Sequence, residues 1–167
     1  MSVTTVDIGG GTMRNISDII EQYLKQRLKR KGKNVLEIKR SEVADQFQCV
    51  PSQINYVINT RFTVEKGYLV ESKRGGGGYI RIIRIKHQDE SELIDEIIQM
   101  VSPTVTQQAA IDVLERLLEE KIITDREAKI MLSAIDRNTL AVKLPARDEI
   151  RSRLLVAMLT TLKYVKK

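Results

Sequence analysis

Gly75, Gly76, Gly77 and Gly78 run consecutively between two stretches that favour extended backbone, YLVES (68–72) and YIRIIRI (79–85). Each glycine opposes ordering by about 0.5–1 kcal/mol relative to alanine, so four in a row exclude a helix or a packed strand interior at that point. What remains is a connection between strands, and the spacing predicts a hairpin with Lys73 and Arg74 at the stem of its tip. A glycine run can imitate a phosphate-cradling loop. Here the Gly-Lys-Ser/Thr ending is missing and a strand follows where such a loop needs a helix N-terminus, so an ATPase reading is rejected.

The segment before the hairpin has helical periodicity. In NISDIIEQYLKQRLKRKG, Ile16, Ile19, Ile20, Tyr23, Leu24 and Leu28 are expected on one face, with a basic face opposite and Gly32 as the stop. VLEIK (35–39) reads as a short strand, after which Ser41 is expected to cap a helix holding Val43, Ala44 and Phe47. Pro51 ends that helix, and Ser52 is expected to cap a second one with Ile54, Val57 and Ile58 facing inward. Its outward side chains are then Gln53, Asn55, Tyr56 and Asn59, followed by Thr60 and Arg61. Amides, hydroxyls and guanidinium groups are the side chains that read base edges, and the major groove admits a helix. Two helices joined by a tight turn and followed by a β-hairpin constitute a winged helix. Its glycine-rich wing with Arg74 suits a narrow groove, where negative potential attracts arginine.

Charge supports that division of labour. Residues 13–88 carry 16 Lys/Arg against 7 Asp/Glu, a balance of +9, whereas residues 89–167 carry 12 against 14. A basic first half points to nucleic acid and assigns the second half a different task. The alternative is a merely basic, soluble face, or an adaptor whose winged helix binds protein. An adaptor has no need of +9 on one half.

From His87 onward there is no glycine and the pattern is helical throughout. HQDE (87–90) reads as a polar linker, then Ser91 is expected to cap a helix presenting Leu93, Ile94, Ile97, Ile98 and Val101 and stopping at Pro103. A second helix carries Ala110, Ile111, Leu114, Leu117 and Leu118. Thr124 and Glu127 fit a capping box opening a third, AKIMLSAI. Residues 147–165 form a fourth after Pro145, with Ile150, Leu154, Leu155, Met158, Leu159 and Leu162 as a broad stripe. About 80 residues with this much apolar face are hard to satisfy alone, so dimerisation through these helices is expected, with a purely internal core as the alternative.

The fold class is therefore mainly α with a small β-wing: a winged helix-turn-helix domain over 13–86 and an all-α dimerisation or regulatory domain over 91–167. Residues 1–12 read as an appended leader or disordered arm, since Met13 looks like a native start. One histidine and one cysteine give no zinc-type ligand set, so no metal and no cofactor is expected, and Cys49 reads as a small buried hydrophobe. Without an apolar span, a secretory start or a second cysteine, the expected compartment is the cytoplasm, with no membrane association. No acid-base pair or nucleophile stands out, and Glu119 and Glu120 look like helix surface, so no enzyme is expected.

NISDIIEQYL (15–24), VPSQINYVINTRFT (50–63), GYLVESKRGGGGYIRI (67–82) and the helical second half together resemble the bacterial class three stress gene repressor family, CtsR. The resemblance runs from Met13 to the end. It implies a dimeric repressor that sits on tandem heptad operators in double-stranded DNA, controls clp protease and chaperone genes, and leaves them on heat shock, with the wing as heat sensor. It also implies regulation by a protein arginine kinase and by the Clp unfoldase and protease, with Arg40, Arg61 and Arg74 as the matching arginines for phosphorylation. The expected DNA-binding set is Arg40, Ser52, Gln53, Asn55, Tyr56, Asn59, Thr60, Arg61, Lys73, Arg74, Gly75, Gly76, Gly77, Gly78 and Tyr79.

Overall fold

The computed structural model describes residues 15–30, 32, 34–74 and 78–165. The chain divides into two compact units between Lys86 and His87. The predicted leader, residues 1–12, lies outside the described residues.

The first unit opens with α1 (Ile16–Arg30). Asn15 and Asp18 cap it reciprocally: the Asp18 N–H donates to Asn15 Oδ1 (3.0 Å) and the Asn15 N–H to Asp18 Oδ2 (3.3 Å). Its buried stripe is Ser17, Ile20, Leu24 and Leu28, spaced i, i+3, i+7, i+11, with Glu21 beside it. This corrects the sequence expectation. A stripe centred there rotates Ile16 and Ile19 to the flank, leaving them 39 % and 45 % exposed, because two small or polar residues occupy the inner positions instead.

Strand β1 (Val35–Ile38) pairs antiparallel with β3 (Tyr79–Arg84), which pairs antiparallel with β2 (Tyr68–Lys73), giving the order β1-β3-β2. Alternation along the pleat buries Leu36, Ile38, Tyr68, Ile80 and Ile82 against α1 and the next two helices. On the other face Glu37, Arg81 and Glu71 stand in one row across the three strands. Arg81 donates to Glu37 Oε1 from Nε (3.1 Å) and Nη2 (2.8 Å), and Nη1 lies 3.6 Å from Glu71 Oε2. The Glu37 hydrogen bond, then its charge, holds the guanidinium pKa above its ordinary value.

Helices α2 (Arg40–Gln46) and α3 (Pro51–Arg61) follow from the predicted pattern, with Val43, Ala44, Ile54, Val57 and Ile58 buried. Their caps do not. Lys39 and Val50 are the N-cap residues and neither side chain bonds the helix end. Strand β1 runs directly into α2, which places Ser41 inside the first turn. Pro51, with its ring-fixed φ and no N–H to satisfy, takes the first helical position and displaces Ser52 to the second. The intervening turn uses Gln48 at φ +52 and returns the Cys49 N–H to Ala44 O (3.0 Å). Cys49 packs against the core but is half-buried rather than enclosed.

The second unit is helical: α4 (Glu90–Met100), α5 (Gln107–Glu119), α6 (Asp125–Ile135), α7 (Arg137–Leu140) and α8 (Ala146–Tyr164). The Thr124–Glu127 capping box is present in both directions, as its spacing predicts. At α4 the cap is Asp89, which accepts from the Glu92 N–H (2.7 Å); a carboxylate two residues ahead of Ser91 wins because it also meets the positive end of the helix dipole. The helix therefore starts inside the predicted linker, and His87 is not simply linker. Its Nε2 sits 2.8 Å from Arg116 Nη2 and 2.7 Å from Glu96 Oε2. The short α7 was not expected from the periodicity.

The core of this unit gathers Leu93, Ile94, Ile97, Val101, Val113, Leu114, Leu117, Ile135, Leu155 and Leu159. Arg151 is 1 % exposed within it, donating to Ile135 O (2.9 Å) and Val105 O (3.0 Å) and pairing with Asp148. It thereby closes carbonyls at the ends of neighbouring segments, which is how a charged residue is accommodated in an apolar interior. The predicted α8 stripe is split. Leu155 and Leu159 face inward with Arg151 and Ser152, while Ile150 faces solvent.

Candidate nucleic-acid interface

Burial of Ile54, Val57 and Ile58 fixes which way the rest of α3 points. Asn55, Tyr56, Asn59 and Thr60 are exposed, Tyr56 with 55 % of its surface in solvent, and Ser52 is exposed at the start of the helix. The Thr60 hydroxyl is turned back onto Tyr56 O (2.6 Å). These residues share one polar face of the second helix of the helix-turn-helix.

Two of the predicted α3 residues are engaged elsewhere. Gln53 is half-buried and its Nε2 donates to Ser17 Oγ (2.7 Å), while Arg61 Nη2 lies 3.2 Å from Asp18 Oδ1. Ser17 and Asp18, adjacent at the start of α1, thus hold both ends of α3. Sequence reading missed them because their partners are more than 30 residues away and no local spacing announces the pairing.

Arg40 joins three elements. From the first position of α2 its Nε donates to Asn55 Oδ1 on α3 and its Nη2 to Ser72 Oγ on β2 (3.3 Å). One guanidinium therefore spans helix-turn-helix and wing, and Ser72 is a third residue that sequence reading left out.

On the wing, Lys73 and Arg74 are exposed, with Lys73 Nζ 5.7 Å from the Tyr79 ring centroid. Gly75, Gly76 and Gly77 lie outside the described residues. Gly78 has φ +47, and a Cβ added there meets Lys73 O at 3.6 Å, an ordinary contact; glycine is required by the backbone angle, not by crowding. Arg81, another cation near the wing, is tied down by Glu37 and Glu71. Among the described residues, no group of three or more His, Cys, Asp or Glu side chains is arranged to hold a metal ion, and no helix is long and apolar enough to cross a membrane.

The family model of the CtsR N-terminal HTH domain matches residues 15–86, and that of the CtsR C-terminal dimerization domain matches residues 89–160. The chain belongs to the CtsR family. The transcriptional regulator CtsR of Geobacillus stearothermophilus is 61 % identical over 152 residues, covering 91 % of this chain and 99 % of the relative. That of Bacillus subtilis (strain 168) is 64 % identical over 149 residues, covering 89 % and 97 %. A crystal structure of CtsR in complex with a 26bp DNA duplex matches with a TM-score of 0.86 at 61 % identity, covering 90 % of this chain and 100 % of that one. The resemblance drawn from the motifs is thereby borne out, as is the fold class of winged helix-turn-helix plus all-α domain. CtsR relatives are named as transcriptional regulators, which agrees with the expectation of a non-enzymatic protein.

Proposed function

We propose that this chain is a sequence-specific, dimeric transcriptional repressor that grips duplex DNA with α3 and the β2–β3 wing. The observation that carries this is the polar outer face of α3 beside a basic wing, in a chain 61 % identical to a CtsR solved with a DNA duplex. Asn55, Tyr56 and Asn59 meet base edges in the major groove, with Ser52 and Thr60 at their margins. Arg40 and Arg61 reach phosphates. Arg74, with Gly75 to Gly78, enters the minor groove from a stem formed by Lys73 and Tyr79. Gln53 and Arg61 exchange Ser17 and Asp18 for DNA on binding.

Dimerisation through the second unit, the region matched by the dimerization-domain model, is supported by α8. Besides its buried face, it carries Ile150, Leu154, Ala157, Thr161 and Tyr164 at alternating four- and three-residue spacing. Ile150, Ala157, Thr161 and Tyr164 are exposed and Leu154 is half-buried. Leu154 packs against this unit's own core, but Ile150, Ala157 and Tyr164 recur every seven residues on an exposed edge, a spacing that suits a second helix as partner. We assign 13–86 to DNA binding and 91–167 to assembly and regulation.

The targets are tandem heptad operators of clp protease and chaperone genes, and the protein acts in the cytoplasm. Four consecutive glycines lose more entropy on ordering than any other tetrapeptide, so a wing contact weakens first as temperature rises, and heat releases the repressor. A protein arginine kinase silences it through Arg40, Arg61 and Arg74. A phospho-group of about −1.5 to −2 charge at a groove-facing cation turns attraction into repulsion, and Arg74, the exposed one of the three, is the most open to modification. The Clp unfoldase and protease remove the inactivated chain.

The test is binding to a tandem-repeat duplex against a scrambled one, at two salt concentrations and at growth and heat-shock temperatures. A specific preference that collapses on warming is expected. Equal weak binding to both duplexes would reduce the basic half to an electrostatic surface and bring forward a protein-binding adaptor.

A further inference from the structure

Arginine only donates hydrogen bonds, so the Asn55 atom facing the Arg40 Nε must be Oδ1, and the amide orientation is fixed by chemistry. The two Nδ2 hydrogens then point away from Arg40, on an exposed residue of the outer face of α3. An asparagine that reads adenine needs both groups at once: Oδ1 accepts from the adenine N6 amino group while Nδ2 donates to N7. Here the Arg40 guanidinium takes one of the two lone pairs of Oδ1, and its positive charge disfavours an amino group approaching the other. Ser72 Oγ, accepting from the same guanidinium at 3.3 Å, anchors its far side to β2 and keeps the fork from swinging off Asn55.

We infer that Arg40 is a positioning residue that turns the Asn55 amide donor-first toward DNA, favouring base edges rich in acceptors (guanine O6 and N7, thymine O4) over those presenting an amino group. This rests on the DNA-binding reading above and adds to it the polarity of one contact. It separates two roles for Arg40 that are otherwise easily merged. A phosphate contact strengthens every duplex alike, whereas an arginine that orients Asn55 changes which base is preferred.

The experiment uses the full chain and a duplex enriched from a random-sequence library by the unmodified protein, with each base pair then replaced in turn. The pair whose preference disappears in Asn55→Ala is the one Asn55 reads. At that pair guanine or thymine is expected to be favoured over adenine by about tenfold, within the range of one direct contact. Arg40→Lys keeps the charge but loses the fork. It is expected to weaken all duplexes and, beyond that, to flatten this one preference to about twofold, leaving those at other pairs intact. Asn55→Asp, which still accepts from Arg40 but has no donors, is expected to lose the same preference while remaining folded. Adenine preferred at that pair would overturn the inference, as would an Arg40→Lys protein that weakens every duplex by one common factor. Failure of the unmodified protein to enrich any sequence would instead bring down the DNA-reading proposal itself.

Discussion

Arg61 has one partner in the folded chain and is proposed to take a second on DNA. In the folded chain its guanidinium lies 3.2 Å from Asp18, with both side chains close to a third exposed, so the pair is worth about 1 kcal/mol at most. That is weak enough to be exchanged for a phosphate, and the sign of each substitution follows. Asp18→Asn is expected to tighten binding to operator and scrambled duplex together by no more than about 1 kcal/mol, because it removes a competitor and one negative charge. Arg61→Ala is expected to weaken binding by about 1–3 kcal/mol if a base is contacted; if only a phosphate is contacted, the loss is smaller and the salt slope falls by about 1. Titrations at several salt concentrations check both, and unchanged affinity in Arg61→Ala removes the residue from the interface.

At the level of elements, helix ends separate a threonine and a serine that look alike in sequence. Thr124 bonds the Glu127 N–H (3.2 Å) and Glu127 returns to the Thr124 N–H (2.7 Å), whereas Ser52 follows Pro51 inside α3 and caps nothing. Chemical denaturation is expected to find Thr124→Ala less stable by about 1 kcal/mol and Ser52→Ala within about 0.5 kcal/mol of the unmodified chain. Equal losses in both would contradict the assigned caps. The wing gives a second test. At φ +47 an alanine costs about 1–2 kcal/mol of local strain with no clash to relieve, so Gly78→Ala is expected to lower operator affinity with little effect on global unfolding. Operator affinity equal to that of the unmodified chain would show that the wing stem is not set by that backbone angle.

For the whole molecule, the proposed function couples DNA affinity to assembly, since a tandem operator would reward two linked reading heads. Placing a charge on the outer seam of α8 therefore tests the organisation of the protein. Ala157→Glu is expected to convert the dimer to monomer in sedimentation, to abolish any dependence of Tm on protein concentration, and to weaken binding to a tandem site far more than to a half-site. A dimer that survives the substitution would place the interface on another face.

Much of this was legible in the chain itself. Tetraglycine between two β-favouring runs admits only a hairpin, the Pro51 break demands two helices, and the Thr124-x-x-Glu127 spacing produces its capping box, because each depends on interactions within a few residues. The inward face of α3 likewise follows from period alone, whereas on α5 Val113 and Arg116 are buried and Ile111 and Leu118, expected inside, are only half-buried. What the tertiary structure decided is which side of α1, α5 and α8 is inner and what the polar groups meet. The third strand joins the wing because β1 finds β3 more than 40 residues away. Ser17 and Asp18 capture Gln53 and Arg61, and Arg40 ties α3 to β2. His87, read as linker, is held between Glu96 and Arg116. These contacts join groups far apart in sequence, where no local periodicity or spacing records the partner, and packing of complete elements is what brings them together.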